Sequence, residues 1–145
     1  MNAYKIRLAK NSNISDILDL NKEGLYQYPW THDKKFIKRS IAHGNYYVIC
    51  NNQNELMGAI KLYLKPHCLW ISTIVVYKKY RKQNNATKLM KFAEKIAKKH
   101  KYKKIRVDTS PVSRVGQFYT KFGYELIEEG SSYNKKYQVY EKTLE

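Results

Sequence analysis

The run Leu69–Tyr77, Leu-Trp-Ile-Ser-Thr-Ile-Val-Val-Tyr, constrains the fold more than any other stretch of the chain. It carries no charge and is rich in β-branched residues, which pack well on a pleated surface. A strand of this kind belongs in the middle of a sheet with both faces covered. The next segment narrows the choice. From about Asn85 to His100, Ala86, Leu89, Met90, Ala93, Ile96 and Ala97 form an apolar stripe at helical spacing, and Lys88, Lys91, Lys95, Lys98 and Lys99 cover the rest. Lys104–Thr109 reads as the next strand. Strand, helix, strand over 69–109 predicts a right-handed crossover, and so a parallel pair.

The flanking segments extend this into a mixed α/β order. Tyr4–Ala9 alternates as a first strand, and Asn13 or Ser12 caps a helix with Ile14, Ile17, Leu18 and Leu25 on one face. An aromatic loop, Tyr26-Gln27-Tyr28-Pro29-Trp30, leads to a second helix capped by Thr31, with Phe36, Ile37 and Ile41 inward and Gly44 beyond its end. Tyr46–Cys50 and Leu56–Leu64 form a hairpin about the polar turn Asn51–Asn54. Ser113–Phe122 is a helix, and Tyr124–Glu128 with Tyr137–Leu144 closes the chain as a hairpin with a long loop. The order is βααβββαβαββ: a mixed central sheet of about seven strands with flanking helices. At 145 residues, with no repeat or linker, the chain reads as a single domain over 1–145.

Charge excludes less than its size suggests. The chain carries 28 basic and 12 acidic residues, a formal net charge of +16. Twenty-three of the basic residues are Lys and five are Arg, within a composition also rich in Asn, Ile and Tyr. Those residues have A/T-rich codons, so genomic base bias accounts for much of the lysine. Lys solvates without specifying, whereas Arg is the residue of phosphate and base recognition. Nucleic acid is therefore disfavoured as a dedicated partner, although a basic nucleic-acid-associated module stands as an alternative. The charge is uneven: Lys78–Lys104 holds twelve basic residues and one acid, Glu94. No stretch reaches the ~18 apolar residues of a membrane span, and no signal-peptide core opens the chain. Cys50 and Cys68 lie in apolar runs without metal-ligand spacing, as reduced thiols of a cytoplasmic protein do.

The chemistry points to one junction. After Ile74-Val75-Val76 a basic loop, Tyr77-Lys78-Lys79-Tyr80-Arg81-Lys82-Gln83-Asn84, opens the helix that begins at Asn85-Ala86-Thr87. The first N–H groups of a helix lack internal partners, and the helix dipole adds positive potential, so such a terminus binds phosphates. Here the chain resembles the GNAT superfamily of acyl-CoA-dependent N-acetyltransferases. Their signature is a strand ending in Val, then Arg/Gln-x-x-Gly-x-Gly/Ala at a helix start. This chain has Val76 and then Arg81-Lys82-Gln83-Asn84-Asn85-Ala86, with Asn84 at the first glycine. Asn is the non-glycine residue that best tolerates positive φ, so the loop keeps its shape. A second feature, aromatic-Tyr-x-Lys-x-Gly-aromatic, matches Phe118-Tyr119-Thr120-Lys121-Phe122-Gly123-Tyr124. The Asn often found seven residues before that Tyr is Val112 here.

The resemblance implies direct transfer of an acetyl group from acetyl-CoA, as co-substrate and without a metal, to an amine of a small molecule or peptide. It implies that pyrophosphate lies on the N–H groups of Gln83, Asn84, Asn85, Ala86 and Thr87, with Arg81 and Lys82 adding charge. The backbone of Ile74, Val75 and Val76 would pair with pantetheine, and Tyr119 would protonate the departing thiolate. Trp70 stands where several family members carry a carboxylate, so the general base is open among Glu23, Asp33, His67, Asp108 and a water chain. The acids Asp16, Asp19, Glu23 and Asp33 and the aromatics Tyr26, Tyr28 and Trp30 fall on the acceptor side, opposite the cofactor. A non-catalytic acyl-CoA-binding domain of the same fold and a homodimer both remain open.

Overall fold

The computed structural model describes residues 3–25, 28–111 and 115–145. Strands β1 (Tyr4–Leu8), β2 (Tyr46–Asn51), β3 (Leu56–Leu64), β4 (Leu69–Val76), β5 (Lys104–Thr109), β6 (Glu125–Ser132) and β7 (Lys135–Thr143) form one seven-stranded sheet. Its order is β1-β2-β3-β4-β5-β7-β6. Helices α1 (Ile14–Gly24), α2 (Lys34–Ala42), α3 (Asn85–Lys99) and α4 (Val115–Lys121) flank it. This is the element order expected above. Tyr26, Gln27, Val112 and Ser113 lie outside the described residues. The chain divides into two compact units, Met1–Leu62 with Thr73–Phe92, and Tyr63–Ser72 with Ala93–Glu145.

In the first unit β1, β2 and β3 are successive antiparallel neighbours. Ile17 and Leu20 of α1 and Ile37 of α2, all fully buried, join Tyr46, Val48, Ala59 and Val75 in one core cluster. Burying each such aliphatic side chain stabilises the fold by ~1.5–3 kcal/mol. The helix starts differ from expectation. Asn13 stands at the N-cap of α1, but its side chain does not cap that helix. Its Oδ1 turns back to accept from Lys10 N at 2.9 Å and Arg7 Nη1 at 3.1 Å, fixing the exit from β1. Asp33, not Thr31, caps α2, accepting from Lys35 N at 3.0 Å. Thr31 lies in a preceding 3-10 turn, Pro29–His32, where its hydroxyl donates to Tyr28 O at 2.7 Å.

In the second unit β4 begins parallel to β5, in register from Leu69↔Ile105 to Ile71↔Val107. β7 lies antiparallel to both β5 and β6. The closing hairpin corrects the long loop expected there. β6 and β7 run on to a two-residue turn, Tyr133-Asn134, with both residues left-handed at φ 50° and 63°. Turns of that hand match the twist of the strands they join. Glu129–Lys136 reads as loop because β6 is exposed along nearly its whole length and shows no apolar alternation. β4 also departs from full coverage: Trp70, Ser72, Thr73 and Ile74 are only half-buried.

Candidate functional site

β4 ends at Val76, and Tyr77 N donates to Met57 O of β3 at 2.9 Å. Gly58 makes that approach possible. A Cβ there would lie 2.6 Å from Val75 O and 3.2 Å from Val76 Cα. The chain then takes a 3-10 turn, Lys78–Tyr80, and Arg81 folds back so that its Nε donates to Val76 O at 3.3 Å. Lys82 and Asn84 are both left-handed, at φ 63° and 62°. Asn84 thus adopts the conformation that its place in the motif demands. Its carbonyl accepts the first bond of α3, from Lys88 N at 2.9 Å. By helix geometry the N–H groups of Asn85, Ala86 and Thr87 have no acceptor within α3.

Two anchors that sequence reasoning missed hold this loop. Asn85 is 2% exposed, and its side chain points inward. Its Nδ2 donates to Tyr80 O at 2.9 Å and contacts Met57 Sδ at 3.7 Å, while Lys88 Nζ donates to its Oδ1 at 3.4 Å. The motif counts this position as variable, so only the pairing of a short amide with a loop carbonyl could have signalled it. The second anchor is acidic. Tyr77 Oη lies 2.9 Å from Asp19 Oδ2 and 3.0 Å from Asp16 O, and Lys78 N donates to Glu23 Oε2 at 3.2 Å. Burial, then the Asp19 hydrogen bond and the charges of Asp19, Asp16 and Glu23, raise the Tyr77 pKa, so it stays a neutral donor. Asp16, Asp19 and Glu23 therefore do not lie opposite the basic loop, as expected above. They grip its first residues.

The close approach of α1 requires Gly24, since a Cβ there would overlap Val75 Cγ2 and stand 4.0 Å from Arg81 Nη2. Behind it lies a buried polar cluster. Asn21 Nδ2 donates to Thr31 O at 2.9 Å, linking α1 to the Pro29–His32 turn. Asn21 and Thr73 face the Tyr46 hydroxyl, whose pKa burial raises and these two groups partly lower. Of the expected acceptor-side aromatics, Tyr28 packs on the core cluster and Trp30 is 52% exposed, with ring centroids 5.3 Å apart.

Tyr119 belongs to the second unit and is 2% exposed. Its ring sits among Phe118, Tyr124 and Tyr140, with centroids 5.5, 5.8 and 5.9 Å away. Gly116 admits this packing, because a Cβ would overlap the Tyr140 hydroxyl. The base candidates separate. Glu23 is committed to the loop and Asp33 to its helix cap, and His67 is exposed. Asp108, on β5, has its pKa raised by desolvation, with its own backbone N–H opposing. The residue is exposed, yet enough protein surrounds its carboxyl to disfavour the charge. Among the described residues, no group of three His, Cys, Asp or Glu is arranged to hold a metal, and no helix is long and apolar enough to cross a membrane.

A family model for the acetyltransferase (GNAT) family matches residues 14–124. Among solved structures, the PaiA N-acetyltransferase of Thermoplasma acidophilum in complex with coenzyme A superposes with a TM-score of 0.81 at 17% identity, over 98% of this chain and 99% of that one. A GNAT family acetyltransferase from Elizabethkingia anophelis with acetyl-CoA bound gives 0.72 at 22% identity, over 97% and 98%. Arabidopsis thaliana Naa50 in complex with the bisubstrate analogue CoA-Ac-MVNAL gives 0.79 at 19% identity, over 97% and 99%. No curated protein matches the chain.

Proposed function

The chain belongs to the GNAT acetyltransferase family, and from that premise we propose that it is an N-acetyltransferase carrying acetyl from acetyl-CoA to a primary amine. Residues 1–145 would act as one catalytic domain. The observation that carries this reading is the left-handed Asn84 at the mouth of α3. It turns the loop so that the unpaired N–H groups of Asn85, Ala86 and Thr87 can converge on an anion, as a pyrophosphate requires. Gln83 and Asn84 add their own N–H groups. Arg81 uses Nε internally, which leaves its outer guanidinium nitrogens for phosphate, and Lys82 adds a second charge.

The chemistry then falls to few groups. The end of β4, where Ile74 is half-buried and Val75 and Val76 are buried, offers the Ile74–Val76 backbone to the amides of pantetheine. A main-chain N–H near Val76 polarises the thioester carbonyl, where negative charge develops as the amine adds. The C–N bond forms, the C–S bond breaks, and Tyr119 gives its hydroxyl proton to the leaving thiolate. Its aromatic surroundings hold the ring to one orientation. The amine must arrive neutral or lose a proton, and Asp108, with its raised pKa, is the carboxylate best suited to take one. The acceptor is a small-molecule or peptide amine; Naa50 was solved with a CoA–peptide analogue. The two free, buried cysteines suit a reducing cytoplasm.

Trp70, with Arg106 placed 5.9 Å over its ring, favours a second reading. No carboxylate stands at that strand position, which suits a domain that binds acyl-CoA without turnover. One experiment separates the readings: thermal shift with CoA, then thiol release from acetyl-CoA across a panel of amines. Stabilisation by CoA follows mass action. Arg81→Glu should abolish that shift while Lys98→Glu leaves it. Binding with no thiol release from any amine would support the second reading, and equal losses in both variants would overturn the site.

A further inference from the structure

Cofactor binding leaves half of the basic run unexplained. Lys95–Lys104 holds six lysines and His100 without an acid. Helix α3 has 15 residues, so its last turn lies about 20 Å from its first at 1.5 Å per residue. That is about two Debye lengths at physiological salt. These lysines are too far away to serve a phosphate at Asn85. We propose that the turn joining α3 to β5 docks the phosphate backbone of single-stranded nucleic acid, a contact separate from acetyl transfer.

The turn is built rigidly. Lys101 is left-handed at φ 62°. Its N–H donates to Lys98 O at 3.0 Å and the Tyr102 N–H donates to Ala97 O at 2.9 Å. These two bonds form a Schellman closure that satisfies the Ala97 and Lys98 carbonyls without any lysine side chain. Tyr102 donates its hydroxyl to Lys65 O at 2.7 Å, which fixes its ring. The exposed His100 ring lies 6.4 Å from it, centroid to centroid. Two aromatic rings thus stand among exposed lysines. The neighbouring carboxylates are already taken. Glu94 pairs with Lys142 at 2.5 Å, and Glu141 pairs with Arg106 at 2.6 Å and Lys104 at 3.6 Å. Neither pairs with Lys95, Lys98, Lys99, Lys101 or Lys103.

A patch of this composition fits single strands, whose bases stack on rings while lysines follow the backbone. The absence of Arg from the turn argues only against base reading. Backbone docking needs no sequence code, so it is compatible with the argument against a dedicated nucleic-acid module.

The test is fluorescence anisotropy of a labelled 20-nucleotide oligouridine with the full chain. Five lysine–phosphate contacts give a log–log salt slope of about −3.5, so raising salt from 50 to 200 mM should weaken binding by about 100-fold. Lys99→Glu with Lys103→Glu should weaken binding far more than Lys34→Glu with Lys35→Glu, which changes net charge equally on α2. His100→Ala should cost about fivefold. All variants should keep the parent's thermal shift with CoA, which shows that they are folded and keeps this proposal separate from the cofactor site. Equal losses in the two double variants would reduce the effect to net charge and overturn the proposal. So would retention on phosphatidylserine vesicles without oligonucleotide binding.

Discussion

Gly58→Ala tests how closely β3 must approach the end of β4. The new Cβ would stand 2.6 Å from Val75 O and 3.2 Å from both Val76 Cα and Val76 Cγ2. Two of these three atoms are backbone, so no rotamer change relieves the overlap. Carbon–oxygen contacts settle near 3.3 Å, so the strands must part by about 0.7 Å. The adjacent Tyr77 N–H to Met57 O bond is 2.9 Å long. The same movement would stretch it to about 3.6 Å, beyond hydrogen-bond range. Losing one buried backbone bond costs ~1 kcal/mol, and overpacking adds ~1–3 kcal/mol. Reduced chain entropy in the unfolded state returns ~0.4–1 kcal/mol. The net expectation is destabilisation by ~1–3 kcal/mol, read from urea unfolding at an unchanged m-value. CoA affinity should fall as well, because the displaced residues are those proposed to meet pantetheine. A Gly58→Ala protein within 0.5 kcal/mol of the parent, with unaltered CoA binding, would refute the reasoning.

Substitutions at three further positions address the site. Asn84→Ala should weaken CoA binding about fivefold in calorimetry, since a left-handed alanine costs ~1 kcal/mol, whereas Asn84→Gly should bind at least as well as the parent; parity for Ala would remove the conformational role of Asn84. Tyr119→Phe should lower kcat by ~10²–10⁴-fold at unchanged acetyl-CoA affinity, and a parent-like rate would reduce Tyr119 to packing. Asp108→Asn should be more stable than the parent at pH 7. The raised native pKa of Asp108 means that the folded state gives up stability as pH climbs through it. The gain should vanish below pH ~4, where the unfolded carboxyl is also protonated, and a gain independent of pH would refute the assignment.

The parts of the fold legible in the sequence are those where burial imposes a period. Ile17 and Ile37 mark their helices because one face of each is fully covered, and Leu89, Met90, Ala93 and Ala97 of α3 are likewise 0% exposed; Leu20, equally buried, falls outside the face read for α1. β6 carries no such mark: its side chains face solvent, and its length is set by pairing with β7. The Tyr133-Asn134 turn lacks the glycine that usually announces a hairpin, so its hand stays hidden until φ is known. At the site, Asn84 is legible because its geometry is local: one residue must be left-handed, and asparagine tolerates that. The clasp of Tyr77 and Lys78 by Asp16, Asp19 and Glu23 is not. Those partners lie 55 to 61 residues apart in the chain, and a helix carboxylate that grips a distant amide has the same local sequence as one facing water.

That clasp bears on how this protein could be retargeted. Helix α1 looks like an interchangeable part, a short amphipathic rod whose outer residues could be traded to suit a different acceptor. Its acids hold the first residues of the basic loop after β4, and its Gly24 sets how near that loop can come. Under the proposed function, a chimera that imported α1 without Asp19, Glu23 and Gly24 would alter the side proposed to meet the acceptor and loosen the loop proposed to hold the cofactor at once. Its kinetics would then mix two effects. Redesign of this helix is better confined to positions facing away from Tyr77 and Lys78, with the three residues carried along as a fixed cassette.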